Sequence, residues 1–192
     1  MRIGLFGGTF NPVHNGHIAL ATEALFRLKL NKVIFIPAYI PPHKDSSDII
    51  DAEDRFNMLE AATDVNPAFE ISRYEIDKKK KVYSIETVRH LKQAYPEDTE
   101  IFFLAGADLL VYIYLWKDLD ELLTLSSFIV FCRPGFSREN HMRGIRVMDM
   151  HEVGISATQV RELIRSSGSV SSLVPVQVAN YIDENNLYKQ AR

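Results

Sequence analysis

The chain of 192 residues has one cysteine, Cys132, so no disulfide can form within it, and such usage suits a reducing compartment. No apolar stretch approaches the roughly 20 residues of a bilayer span. The amino-terminal residues run straight into a strand-like segment rather than a leader peptide. A cytoplasmic protein that does not enter the membrane is expected. Positive charge is not in excess either: 22 Lys and Arg face 25 Asp and Glu, a net charge of −3, which gives no reason to expect a nucleic-acid partner. Two nucleotide-binding signatures are missing, G-x-G-x-x-G after the first strand and G-x-x-x-x-G-K-[ST] anywhere, so dehydrogenase chemistry and a Walker loop are both excluded. With one thiol, no H-E-x-x-H and no cluster of carboxylates, no protein-held metal is expected.

What is present is an ordinary globular composition, 46% hydrophobic and 24% charged, and a length that suits a single domain over residues 1–192. Strand-like and helix-like segments alternate. Strands are expected at Arg2 to Phe6, Val33 to Ile36, Phe69 to Ser72, Ile101 to Ala105, Phe128 to Cys132 and Ile145 to Met148. Helices are expected from Gly16 onward, at Ala52 to Ala62, at Ser84 to Tyr95, through Trp116, at Ser156 to Arg165 and at Val176 to Asp183. Repeated β then α predicts an α/β fold, a doubly wound, Rossmann-like parallel sheet with helices on both faces and its ligand beyond the carboxyl ends of the strands.

The most informative stretch follows the first strand. Gly7-Gly8-Thr9-Phe10-Asn11-Pro12 is a turn, and its glycines let backbone amides approach phosphate oxygens. A helix opens next, with His14 and His17 at its start, where helix-end N–H groups also attract an anion. Taken alone, H-x-x-H is also the spacing of a zinc pair or a capped helix. The GGTF turn directly upstream favours phosphate. A later segment has the same character. Ser156 followed by Gln159 is a capping-box pattern, and Thr158 and Arg161 then share one face of the helix that starts there, so a hydroxyl, amides and a guanidinium converge on one anion.

GGTFNPVHNGH, with His14-Asn15-Gly16-His17, resembles the signature of the HxGH adenylyltransferases. Ile155-Ser156-Ala157-Thr158-Gln159-Val160-Arg161 is similar to their late ISSTxxR segment, with Ala157 in place of the second serine. Pro41-Pro42-His43-Lys44, the Arg55, Met58, Leu59 helix, the segment Tyr83 to Thr87 and Gly106-Ala107-Asp108 look like marks of the bacterial nicotinate-nucleotide adenylyltransferases. Val82, just before the segment Tyr83 to Thr87, and Ser84 within it depart from that pattern.

The resemblance implies transfer of the adenylyl group of ATP to nicotinate mononucleotide, with magnesium carried on the ATP. It implies catalytic roles for His14 and His17. It places ATP against Gly7, Gly8, Thr9, Phe10, Gly106, Asp108, Ile155, Ser156, Thr158 and Arg161, and nicotinate mononucleotide against Lys44, Tyr83, Thr87 and Trp116, with Arg55 and His43 as further candidates. An aromatic face such as that of Trp116, the only tryptophan, is a suitable platform for a pyridinium ring, although core packing fits it equally well. Nicotinamide mononucleotide or phosphopantetheine as acceptor, and a nucleotide sensor that has lost catalysis, are the alternatives. The sequence leaves homo-oligomerisation open. Lys78 to Lys81 reads as a solvated turn and Cys132 as a buried thiol, while His90 and His151 carry no expected role.

Overall fold

The computed structural model describes residues 1–41, 48–132, 144–150 and 154–189, with the side chain of Asp108 outside the description. Six strands form one all-parallel sheet in the order β3-β2-β1-β4-β5-β6. The strands are β1 (Arg2–Gly8), β2 (Lys32–Pro37), β3 (Phe69–Ile71), β4 (Glu100–Gly106), β5 (Ser127–Cys132) and β6 (Ile145–Asp149). The central strands are apolar on both faces because helices cover both. Leu5, Val33, Leu104 and Val130 are wholly buried.

The helices are α1 (Asn15–Arg27), α2 (Ala52–Thr63), α3 (Tyr74–Asp77), α4 (Ser84–Ala94), α5 (Leu119–Leu125), α6 (Ala157–Arg165) and α7 (Val176–Glu184). One core packs α1, α2, α6 and α7 onto the sheet through Leu20, Ala24, Met58, Leu59, Val160, Val178 and Ile182. The other packs α4 and α5 onto the opposite face through Ile85, Val88, Leu91, Leu119 and Leu122. The expected doubly wound α/β architecture is therefore the observed one.

Local chemistry sets the helix starts. Asp51 caps α2 by accepting the Glu53 N–H at 2.8 Å, and Ser156 caps α6 by accepting the Gln159 N–H at 3.1 Å. Three elements differ from expectation. The single turn of α3 and the two turns of α5 carry too few residues for a helical period to stand out. The expected helix through Trp116 is instead two 3₁₀ helices, Ala107–Val111 and Ile113–Leu115, closed by the bonds Tyr112 N–H to Leu109 and Trp116 N–H to Ile113.

The order of strands opens the site. β1 and β4 are hydrogen-bonded neighbours only as far as Phe6 opposite Leu104. Beyond that point β1 stays with β2 to Gly8 opposite Pro37, while β4 stays with β5 to Gly106 opposite Phe131. The two halves of the sheet part there, and a crevice begins between Gly7-Gly8 and Ala105-Gly106, at the topological switch point of the fold.

Candidate functional site

At the mouth of this crevice the GGTFNP turn is held from beneath. Phe10 adopts φ +49, a left-handed conformation, and its ring folds back under the turn to meet Phe6 edge-on at 5.5 Å and Phe35 at 5.8 Å. A Cβ on Gly8 would lie 2.8 Å from the Phe10 ring, so only glycine permits this fold-back. At Gly7 a Cβ would meet only Phe103, at an ordinary 3.6 Å. Phe10 is 2% exposed, so the turn can offer its backbone to a ligand but not this ring.

Arg55 anchors the same turn and is itself buried, at 1% exposure. Its guanidinium donates to the carbonyls of Thr9 at 2.8 Å, Tyr39 at 3.2 Å and Ile50 at 3.3 Å. Burial lowers its pKa, while Tyr188 and Asp51 raise it; a guanidinium stays charged through such a shift. Arg55 thus ties α2 to the segments after β1 and β2 and presents no surface to a substrate. Asn11, 4% exposed, is a second anchor. Its Nδ2 donates to the Asp48 carbonyl at 2.8 Å, and its Oδ1 accepts from Tyr188 Oη at 2.9 Å and the Ile50 N–H at 3.4 Å.

The two histidines start α1. The His14 backbone N–H donates to His17 Nδ1 at 3.2 Å, and the imidazoles stack with centroids 3.7 Å apart. Because Nδ1 of His17 accepts a bond, the proton of the neutral ring sits on Nε2, which makes that atom a donor. His14 is 7% exposed and His17 is half-buried, so His17 is the more accessible of the pair. The Phe10 ring meets His17 at 5.0 Å and limits its motion.

The late segment joins this turn. A Cβ on Gly16 would lie 3.0 Å from His14 Nδ1 and 3.7 Å from the Ile155 carbonyl oxygen, which places the start of α6 against the start of α1. Arg161 donates through Nη1 to the Asn11 carbonyl at 2.9 Å and through Nη2 to Thr158 Oγ1 at 3.4 Å. Ser156 and Thr158 are exposed, Ile155 is half-buried, and the Ser156 hydroxyl is engaged in its cap. Two helix N-termini, two imidazoles and a guanidinium converge beside a glycine turn. These are N–H donors, suited to phosphate oxygens rather than to a metal ion. Among the described residues no three His, Cys, Asp or Glu side chains come together as a metal site.

On the opposite face of the sheet, Tyr83 precedes α4 with its ring flanked by Lys81 and Lys117 Nζ, each 5.0 Å from the ring centroid. Trp116 is half-buried and meets Phe103 at 5.6 Å and Phe128 at 5.7 Å, both edge-on. Its indole N–H is buried without a hydrogen-bond partner. Lys117 therefore brings the Trp116 segment to Tyr83. Thr87 differs from expectation: it is 1% exposed, and its hydroxyl donates to Glu75 Oε1 at 2.7 Å. Burial pushes the Glu75 carboxyl up to about 7, against the Thr87 bond that lowers it, with Glu86 adding a smaller upward push.

Gly106 ends β4 at the crevice. His43, Lys44 and the Asp108 side chain lie outside the described residues, as does His151. Cys132 is buried, as expected. Lys78 and Lys81 of the basic turn are exposed, and His90 stacks on Tyr74 at 4.0 Å. Sequence reasoning missed Asn11, Glu75, Lys117 and Tyr188. Only Asn11 had a local signal, its place inside the GGTFNP turn.

Comparison with known proteins agrees with this geometry. Residues 5–163 match the family described as cytidylyltransferase-like. The nicotinate-nucleotide adenylyltransferase of Bacillus subtilis (strain 168) is 41% identical over 188 residues, covering 98% of each chain. Among solved structures, the Plasmodium falciparum nicotinic acid mononucleotide adenylyltransferase complexed with NaAD superposes with a TM-score of 0.78 at 15% identity, covering 97% of each chain. Its complex with APC gives a TM-score of 0.74, also at 15% identity, over 97% of this chain and 96% of that one; at such identity both attest the fold. By family match and by near-complete alignment at 41% identity, this chain belongs to the cytidylyltransferase-like family and, within it, to the nicotinate-nucleotide adenylyltransferases.

Proposed function

We propose that this protein joins ATP and nicotinate mononucleotide to give nicotinate adenine dinucleotide and pyrophosphate, a step of NAD biosynthesis. A phosphate oxygen of the mononucleotide attacks the α-phosphorus of ATP, the bond to the bridging β-phosphate oxygen breaks, and pyrophosphate leaves. The attacking phosphate is already ionised at neutral pH, so neither a protein nucleophile nor a strong base is required. The protein contributes alignment of two mutually repelling polyanions and donors aimed at the charge that develops.

The observation that carries this proposal is the meeting of the α1 and α6 starts at Gly16 and Ile155, with Arg161 bonded to the GGTFNP turn. In the proposed complex the triphosphate lies across Gly7 to Thr9, His14, His17, Thr158 and Arg161, and Nε2–H of His17 donates to the α-phosphoryl oxygens or the leaving group. Gly106 and Asp108 border the adenosine. Magnesium, which neutralises triphosphate charge, is proposed to arrive on the ATP, because among the described residues the crevice presents N–H donors and no cluster of carboxylates. The two nucleotides are the proposed partners and the cytoplasm the proposed compartment.

The pyridine is proposed to lie near Tyr83 and Trp116. The ammonium groups of Lys81 and Lys117 beside the Tyr83 ring support an acid over a neutral amide, and they outnumber the one carboxylate at this helix start, Glu86, which accepts from the Tyr83 N–H at 3.4 Å. His43 and Lys44 remain proposed contacts. Thr87 and Arg55, both 1% exposed, are proposed to support the acceptor site from within rather than to touch the acceptor. The test is product identification: protein, magnesium ATP and nicotinate mononucleotide are incubated, and the products are resolved by mass. Nicotinate adenine dinucleotide in equal amount to pyrophosphate is expected. Pyrophosphate without the dinucleotide, or neither, contradicts the proposal.

A further inference from the structure

We propose that Tyr188 is a positioning residue for ATP, acting through its hydrogen bond to Asn11 to hold the phosphate-binding turn and Arg161 in register. The inference rests on the assignment of that turn to the triphosphate. Tyr188 is far from the site in sequence and is brought to it by the end of α7. This helix is docked on α2 by Tyr181, whose hydroxyl donates to Asp54 at 2.9 Å and accepts from Asn57 at 2.9 Å. The helix then stops in a Schellman arrangement. The Leu187 N–H bonds the Ile182 carbonyl at 3.0 Å, the Asn186 N–H bonds the Asp183 carbonyl at 3.3 Å, and Asn186 takes φ +53.

Tyr188 itself has φ +62, a conformation that is costly for an aromatic residue and persists only where tertiary contacts hold it. Its ring is packed against the core beneath the turn, and its hydroxyl donates to Asn11 Oδ1 at 2.9 Å. Burial raises its pKa strongly, against the lowering influence of Arg161 and Arg55, so the phenol stays protonated and remains a donor throughout the working range of pH.

The consequence follows from what Asn11 does. Its side chain has three partners in two segments, Tyr188 in one and the Asp48 carbonyl and the Ile50 N–H in the other, while its own carbonyl accepts from Arg161. Tyr188 supplies the shorter of the two bonds to Oδ1, 2.9 Å against 3.4 Å for Ile50. Without it the amide keeps its bonds to Asp48 and Ile50 but loses the shorter one at Oδ1, and the turn whose carbonyl orients Arg161 is held less firmly. The bond from Tyr188 reaches the ATP turn through Asn11, which places the burden on ATP, while Tyr83 and Trp116, the proposed pyridine contacts, pack against the core on the opposite face of the sheet.

The test is the dissociation constant of magnesium ATP, measured by calorimetry with no acceptor present, for the full chain and Tyr188→Phe. The substitution keeps the ring and therefore the packing. Loss of this one part-buried hydrogen bond is expected to weaken ATP binding about 3- to 10-fold. The KM for nicotinate mononucleotide should be unchanged. Combined with Asn11→Ala, it should add little to the loss caused by Asn11→Ala alone. An unchanged ATP constant overturns the proposal. So does a parallel weakening toward both nucleotides with a falling melting temperature, which would reduce Tyr188 to a packing residue. A chain that binds ATP yet transfers nothing to nicotinate mononucleotide contradicts the proposed reaction while leaving this readout intact.

Discussion

His14 and His17 are one unit: the backbone N–H of the first donates to Nδ1 of the second at 3.2 Å, and the rings lie stacked at 3.7 Å. The bond directs the donor Nε2–H of His17 away from its own backbone. Replacing His17 with Ala therefore removes a preorganised donor, and kcat is expected to fall roughly 100-fold or more. Steady-state kinetics with both substrates saturating checks this. A kcat within a few-fold of the parent chain would remove His17 from the chemistry.

Gly16 separates stability from activity. In a helix interior alanine is favoured over glycine by about 1 kcal/mol, and at Gly16, the second residue of α1, the gain is smaller. Here, however, the added Cβ would press on the His14 ring at 3.0 and 3.1 Å, so the ring must yield by a few tenths of an ångström. Gly16→Ala is expected to change the melting temperature little, the propensity gain and the contact offsetting each other, while kcat/KM falls about tenfold as the stacked pair shifts. Thermal denaturation and kinetics on one preparation test both halves. Loss of stability with full activity would contradict the assignment.

The architecture was legible because two periodicities, apolar strands and amphipathic helices, alternate along the chain. The phosphate half of the site was legible because its residues are close neighbours in sequence, as in His14 and His17 or Thr158 and Arg161. What escaped depends on contacts between distant segments. Arg55 read as a further candidate contact for the acceptor, yet it is buried because three backbone carbonyls from outside its helix surround it. Thr87 read as a substrate contact, and its partner Glu75 sits in a one-turn helix with no periodic signal. Tyr188 reaches Asn11 only once α7 has docked on α2.

The structural role of Arg55 has a measurable size. Arg55→Met keeps much of the side-chain volume but strands three carbonyls that the guanidinium satisfies. A loss of about 3 kcal/mol in unfolding free energy is expected. Urea denaturation gives the value directly. A change below about 0.5 kcal/mol, the scale of an ordinary surface substitution, would show that the guanidinium is not an anchor.

Glu75 makes stability depend on pH. Its carboxyl is raised from 4.5 to about 7 in the folded chain. The folded state therefore binds more protons than the unfolded state between those values. The stabilising contribution is complete below about pH 4.5, declines as pH rises, and is gone above about 7; its full size is on the order of 3 kcal/mol. Glu75→Gln, which still accepts from Thr87, should lack this decline. Melting temperatures from pH 5 to 8 should converge at the acid end and diverge toward pH 8, with the variant the more stable. Parallel curves would show that Glu75 titrates as an ordinary carboxyl.

The most direct test of the proposed reaction is pyrophosphate release from magnesium ATP, with nicotinate mononucleotide and nicotinamide mononucleotide compared at subsaturating concentrations. The ammonium groups of Lys81 and Lys117 beside Tyr83 predict turnover with a preference in kcat/KM for the acid. Equal kcat/KM for both would contradict the assignment of the acceptor. No pyrophosphate release with either, despite ATP binding, would contradict adenylyl transfer itself.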